Sequence, residues 1–186
     1  MGKTLAEKIL SRKPQDDAGA GDIIVREVDL AFVQDTTGPL TVREFESNFS
    51  SLANRDKTVL FLDHAAPSPN IQLSADHITL RRFAQETGSL LSDVGQGVCH
   101  QIVAESIARP GDVIVGADSH TVTAGGLGAF ATGMGSSDVA IAFALGKTWL
   151  RVPESIRISV TDSFHNGVYV KDMILHLIGL MMALSS

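Results

Sequence analysis

Cysteine is almost missing from this chain, with one residue, Cys99, among 186. A single thiol excludes an internal disulfide, and it cannot complete a cysteine-rich metal or iron-sulfur site without ligands from elsewhere. Clustered positive charge is missing too. The formal net charge is -6 with both signs mixed, and no basic stretch is interleaved with aromatics, so nucleic acid is not expected as a partner. No apolar run approaches the roughly 20 residues that span a bilayer, and the N-terminus turns charged too early for a secretory signal. No membrane partner is expected, and the cytoplasm is the default location. There is no G-x-G-x-x-G fingerprint and no Walker loop, so a nucleotide is not indicated. Internal repeats and low-complexity segments are absent as well.

What is present is enough apolar material, 44% of residues, for the core of one domain or of one domain and the start of another. Apolar β-branched runs alternate with amphipathic stretches, which predicts an α/β fold with a largely parallel sheet flanked by helices in three layers. The expected strands are residues 23–32, 59–62, 90–94, 113–116 and 156–160. The expected helices are 4–10, 42–49, 74–87, 98–107, 136–149 and 170–183, with Ser74 as a cap although His77 stands where a capping box wants Glu. Residues 1–153 read as one α/β domain and 154–186 as the beginning of a following segment. Residues 173–184 are apolar apart from His176 and would need cover on all sides, so the chain is expected to be part of a longer one.

Polar residues capable of chemistry fall at strand ends. The first run ends in Gln34-Asp35-Thr36 and the second in Asp63-His64. The third leads through Gly-Gln-Gly to Cys99-His100-Gln101, and the fourth ends in Asp118-Ser119-His120. In a parallel sheet the carboxyl ends of strands lie along one edge, where ligands bind. Asp beside His fixes the imidazole tautomer and raises its basicity, as acid-base chemistry near neutral pH requires. Plainer roles stay open. Asp63-His64 suits a turn, Asp118-Ser119-His120 a helix cap, His100 a satisfied core position, and Cys99 a small buried hydrophobe. His77, His165 and His176 read as structural. The glycines of residues 125–135 would let backbone amides and the helix N-terminus near Ser136 approach a carboxylate, or would allow close helix–sheet packing.

The stretch "VGADSHTVTAGGLGAFATGMGSSDVA", with "FLDHAAPSP", "DVGQGVCHQIVAE", "VPESIRI" and "GVYVKDMILHLIG", resembles the aconitase superfamily from about Lys3 to Gly179, on its 3-isopropylmalate dehydratase and homoaconitase branch. The resemblance implies a hydro-lyase of leucine-type amino-acid biosynthesis. Such an enzyme moves a hydroxyl between adjacent carbons of a 2-hydroxy di- or tricarboxylic acid by dehydration and rehydration. It uses a 4Fe-4S cluster whose ligand cysteines come from a later segment missing here. Cys99 does not match a cluster cysteine, and no metal ligand is assigned within this chain. The resemblance gives the Asp63-His64 pair the departing hydroxyl, with His64 as the acid. It places His100 and the Asp118-His120 pair beside the cluster, Ser119 near the substrate and Gln34 among the substrate contacts. A small subunit or a C-terminal domain would complete the site, and this chain alone is expected neither to hold the cluster nor to catalyse. The alternatives are an aconitate hydratase acting on citrate or isocitrate, a non-catalytic anion-binding fragment, or a mononuclear metal site from His64, His100 and His120 with Asp63 or Asp118. A hydrolase built on Ser119 lacks the G-x-S-x-G elbow.

Overall fold

The computed structural model describes residues 2–12 and 17–184. The chain divides into two units, Met1–Ser155 and Ile156–Ser186. In chain order the first unit contains α1 (Leu5–Leu10), β1 (Ile23–Glu27), β2 (Leu30–Gln34), α2 (Gly38–Asn48), β3 (Thr58–Phe61), α3 (Ile71–Thr87), β4 (Leu90–Ser92), α4 (Cys99–Ile102), β5 (Val113–Gly116), β6 (Phe130–Gly133), α5 (Ser136–Leu145) and β7 (Lys147–Arg151). A π-helical turn, Val103–Ile107, prolongs α4, and a 3-10 helix, Ser119–Leu127, follows β5.

Strands β2 to β6 form one parallel sheet in the order β4-β3-β2-β5-β6. Both of its faces are covered, so β2, β3 and β5 are buried along their whole length and read as continuous apolar runs. Ala31, Val33, Leu60, Leu62 and Val115 turn to one face, where α2, α3 and α5 bring Phe45, Phe83 and Phe143. The Phe45 and Phe83 rings meet edge to face at 5.3 Å, and each buried ring contributes about 1.5–3 kcal/mol by leaving water. Leu30, Phe32, Val59, Phe61 and Ile114 turn to the other face, covered by Cys99 of α4, Val103 of the π turn and Ala124 of the 3-10 helix. This is the expected three-layer α/β arrangement.

Several expected boundaries differ. The run at residues 23–32 is two strands, because the chain changes sheet at Val28 and Asp29. Its first part pairs antiparallel with β7, and the Asp29 amide donates to the Val113 carbonyl at 2.8 Å. Asp29, the polar interruption in the run, pairs with Arg12 and lies 3.4 Å from Lys57. The helix expected over 136–149 stops at Leu145, where Gly146 takes φ 63° in the left-handed region that favours glycine. The chain can then turn into β7. Strand β6 was not expected, since Phe130–Gly133 has little β-branched content. Helix α2 starts four residues before the expected 42, with Pro39 in its first turn. Helix α3 starts at Ile71 rather than Ser74, because the Asn70 side chain accepts the Leu73 amide at 2.9 Å. The strand expected over 90–94 is β4 and ends at Ser92, and the helix expected over 98–107 is α4 plus the π turn. Residues 156–160 form no strand, as their alternation finds no partner strand among the described residues.

In the second unit, α6 (Val170–Leu184) follows irregular chain, and Ile174, Leu175 and Ile178 are exposed. Among the described residues no helix is long and apolar enough to cross a membrane.

The glycine-rich segment is not an open loop. It is divided between the 3-10 helix, β6 and the cap of α5. A Cβ added at Gly133 would stand 2.5 Å from the Asp118 carbonyl oxygen and 3.3 Å from Ser119 Cα, whereas one at Gly125 would meet nothing within 4 Å. The close approach that glycine permits is therefore, at Gly133, between β6 and the Asp118-Ser119 backbone. The first turn of α5 carries Asp138, so that helix N-terminus already faces a carboxylate of its own chain.

Gly133→Ala is expected to cost about 1–3 kcal/mol in urea unfolding, and Gly125→Ala no more than about 0.5 kcal/mol. Equal effects would contradict the packing assigned to Gly133. A second expectation concerns pH. Burial opposes ionisation of Asp29, but the hydrogen bond from Arg12, the Val113 amide and the charges of Arg12 and Lys57 outweigh it and hold the carboxyl below its ordinary range. A carboxylate lowered in the folded state stabilises the fold above its unfolded pKa, and that contribution is lost as pH falls through the folded value. Asp29→Asn should thus cost about 1–3 kcal/mol at neutral pH and progressively less below about pH 4. A penalty independent of pH would contradict this account.

Candidate functional site

The strand order reverses at β2. The chain proceeds from β2 to β3 and β4 on one side, then crosses to β5 and β6 on the other. In parallel sheets the crevice at such a reversal is where ligands bind. Gln34 ends β2 and Asp35 follows it, Asp63 and His64 follow β3, and Asp118, Ser119 and His120 follow β5 into the 3-10 helix. Cys99 and His100 open α4 beside them.

The three imidazoles form a row with His100 in the middle. Ring centres are 6.0 Å apart for His64 and His100, and 5.8 Å for His100 and His120. Two carboxylates hold the row. Asp63 Oδ1 lies 2.9 Å from His64 Nδ1, so the hydrogen on that nitrogen points to the carboxylate and Nε2 is left for a ligand. Asp63 Oδ2 accepts the Cys99 amide at 2.6 Å, tying the start of α4, and hence His100, to the same side chain. Asp118 Oδ1 accepts the His120 amide at 2.7 Å and lies 3.4 Å from His120 Nδ1. Gln34 Nε2 donates to Asp118 Oδ2 at 3.4 Å, and its Oε1 accepts the amide and hydroxyl of Thr36 at 2.6 and 2.7 Å. Ser119 is exposed between Asp118 and His120. All seven residues read from the sequence as site residues thus lie along one sheet edge.

His100 Nε2 is 3.1 Å from Asp118 Oδ1 but too far off line for a hydrogen bond, which leaves a buried nitrogen without a hydrogen-bond partner. Burial pushes His100 below the ordinary imidazole range. The Asp118 charge opposes the shift, and the charges available to His64 and His120 reinforce it. Burial would raise Asp118, but the His120 amide, the neighbouring imidazoles and the Gln34 hydrogen bond outweigh it and hold the carboxyl below its usual range. The site at neutral pH therefore pairs an ionised carboxylate with a neutral central imidazole.

Cys99 is fully buried. Burial, and next the Asp63 charge, push its thiol far above the ordinary range, so it stays protonated. One buried thiol does not make the ligand set of an iron-sulfur cluster, and the residues present do not fit that group as ligands. Ligand atoms of His100, Asp118 and His120 do lie within 4.8 Å of one another, a nitrogen and carboxylate set of the kind that also suits a single zinc or ferrous ion.

The sequence reading missed Asp35, which it noted at a strand end without giving it a role. Asp35 is wholly buried and accepts the His64 and Ala65 amides at 3.0 and 2.9 Å. His77, read as structural, is buried with Nε2 2.9 Å from Asp35. A wholly buried carboxylate beside a titratable strand end is a signal only once the loop that covers it is known.

The chain matches the sequence profile of the aconitase family (aconitate hydratase) over residues 7–184. It is 54% identical to the 3-isopropylmalate dehydratase large subunit of Elusimicrobium minutum over 182 residues, which is 97% of this chain and 44% of that protein. It is 52% identical to 3-isopropylmalate dehydratase large subunit 2 of Archaeoglobus fulgidus, covering 96% of this chain and 43% of the relative. For large subunit 1 of Thermotoga maritima the identity is 51%, with 95% and 42% covered. The chain thus spans less than half the length of these relatives. With the profile covering nearly every residue and the matched motifs seated at one sheet edge, the chain belongs to the aconitase family.

Proposed function

We propose that this chain supplies the imidazole and carboxylate wall of a hydro-lyase site that dehydrates and rehydrates a 2-hydroxy dicarboxylic acid of the 3-isopropylmalate type. The observation that carries the reading is the row of His64, His100 and His120 held by Asp63 and Asp118 at the strand-order reversal. The names of the relatives, at 51–54% identity, favour 3-isopropylmalate over citrate as the substrate. Their designation as large subunits supports a small subunit as the partner. Nothing in the charge or the described helices favours nucleic acid or a membrane, and the cytoplasm suits a metabolic enzyme of this kind. A 4Fe-4S cluster belongs to the reading only as a group held by cysteines outside this chain, and no step below passes through it.

In the proposed reaction the C–O bond to the substrate hydroxyl breaks as a proton arrives from His64 Nε2, so water leaves and the imidazole becomes neutral. Its hydrogen on Nδ1 stays on the ring and keeps donating to Asp63 Oδ1, which fixes the tautomer and stabilises the protonated ring before transfer. The proton on the neighbouring carbon goes to a base from outside this chain. In rehydration water adds at the adjacent carbon, and the proton bookkeeping runs in reverse. His100, kept neutral by burial, can accept a hydrogen bond from the released water. Ionised Asp118 holds the turn that presents Ser119 and His120 and is itself held by Gln34. That side chain is buried with its amide spent on Asp118 and Thr36, and so acts on the turn rather than on substrate, while exposed Ser119 faces the substrate.

The test is turnover by the assembled enzyme that contains this chain. His64→Asn is expected to lower kcat by about 10²–10⁴-fold, the usual contribution of a positioned acid, with little change in KM. Asp63→Asn should lower kcat in the same direction by a smaller factor. Turnover of the His64→Asn enzyme within twofold of the parent, or a higher kcat/KM for citrate than for 3-isopropylmalate, would overturn the reading.

A further inference from the structure

Asp35 directly follows β2 and His77 lies on α3. Neither can reach a ligand, since Asp35 is 0% and His77 4% exposed. A carboxylate taken wholly out of water needs donors for its lone pairs. Asp35 has three of them. Oδ1 accepts the His64 amide at 3.0 Å, and Oδ2 accepts the Ala65 amide at 2.9 Å and the His77 Nε2 hydrogen at 2.9 Å. These partners lie 29, 30 and 42 residues away along the chain, so the carboxylate joins β2, the turn after β3 and α3 at one point.

We propose that Asp35 and His77 are positioning residues for His64. The parallel register pairs Gln34 with Phe61, which sets the residue after β2 beside the turn after β3. The Asp35 carboxylate grips two consecutive amides of that turn and fixes the backbone from which the His64 ring projects. The ring can then keep Nδ1 on Asp63 Oδ1 while Asp63 Oδ2 holds the Cys99 amide. His77 acts one step further back. Its Nε2 hydrogen neutralises part of the buried charge and keeps the carboxylate oriented with both oxygens toward the turn. Packing alone would require only an apolar residue at position 77. A donor at this position is required for orientation, and the side-chain amide of glutamine can place a hydrogen near the same point.

This deepens the reading of His64 as the proton donor and rests on it for any effect on turnover, but the placement of the ring can be measured without turnover. The experiment uses the 186-residue chain labelled with 15N, and reads amide hydrogen exchange together with the ring nitrogen shifts that report the His64 tautomer. In His77→Leu the His64 and Ala65 amides should exchange about tenfold faster or more. The Nδ1–H form of His64 should lose population, while amides in β3 and α5 keep their protection. His77→Gln should restore both signals to near the parent values. Asp35→Asn should act in the same direction as His77→Leu. If it fails to fold, the comparison at position 77 decides alone. The proposal is overturned if the His77→Leu and His77→Gln chains behave alike, or if both signals at His64 are unchanged in a folded His77→Leu chain. Failure of the turnover test with these signals as expected would overturn the proton-donor role and leave the positioning intact.

Discussion

The parallel pairing of β2 with β3 on one side and β5 on the other is the constraint from which the site follows. It sets Ala31 opposite Thr58 and Val115, and Gln34 opposite Phe61. Side chains alternate along a strand, so a slip of one residue would carry Leu60 and Leu62 away from the Phe45 and Phe83 layer and put Val59 and Phe61, of different size and shape, in their place. Burial of both sheet faces makes that slip costly. Because the register is fixed by apolar packing in the body of the sheet, the residues just beyond the strand ends are brought to one edge, where hydrogen bonds such as those of Asp35 to the His64 and Ala65 amides then fix the turns. Gln34 and Asp35, Asp63 and His64, and Asp118 therefore arrive side by side.

The polar residues at that edge then solve an electrostatic problem. Three imidazoles with centres about 6 Å apart repel when charged, and burial penalises the charged form of the middle one. Asp63 and Asp118 offset this from two sides. The result is a graded row, with His64 exposed and backed by its own carboxylate, His100 half-buried and neutral, and His120 exposed at the mouth of the 3-10 helix. The unpartnered His100 nitrogen is the cost of this arrangement.

What the sequence made legible is what changes abruptly along it. An apolar run that gives way to Asp-His or Asp-Ser-His marks a strand end, because the pattern reverses where the chain leaves the covered sheet. That was enough to gather Gln34, Asp63, His64, His100, Asp118, Ser119 and His120. What stayed hidden depends on distant partners. Asp35 looked like one more polar residue after a strand, since its donors lie 29 to 42 residues away. The apolar run from residue 23 hid a change of sheet, because pairing partners for its two halves come from β7 and from β3 and β5. The role of Gly133 likewise depends on the Asp118 backbone beside it and on nothing in its own neighbourhood of sequence. The resemblance to the aconitase family supplied roles that spacing could not.

Three imidazoles share one sheet edge, and the charge of each bears on its neighbours. The most direct measurement is the pH titration of their ring carbon signals by NMR in the parent chain and in His120→Gln. The account predicts that His100 titrates below the ordinary imidazole range and that its midpoint moves upward when His120 is replaced, since a neighbouring positive charge is removed. An ordinary His100 titration that ignores the replacement would contradict that coupling.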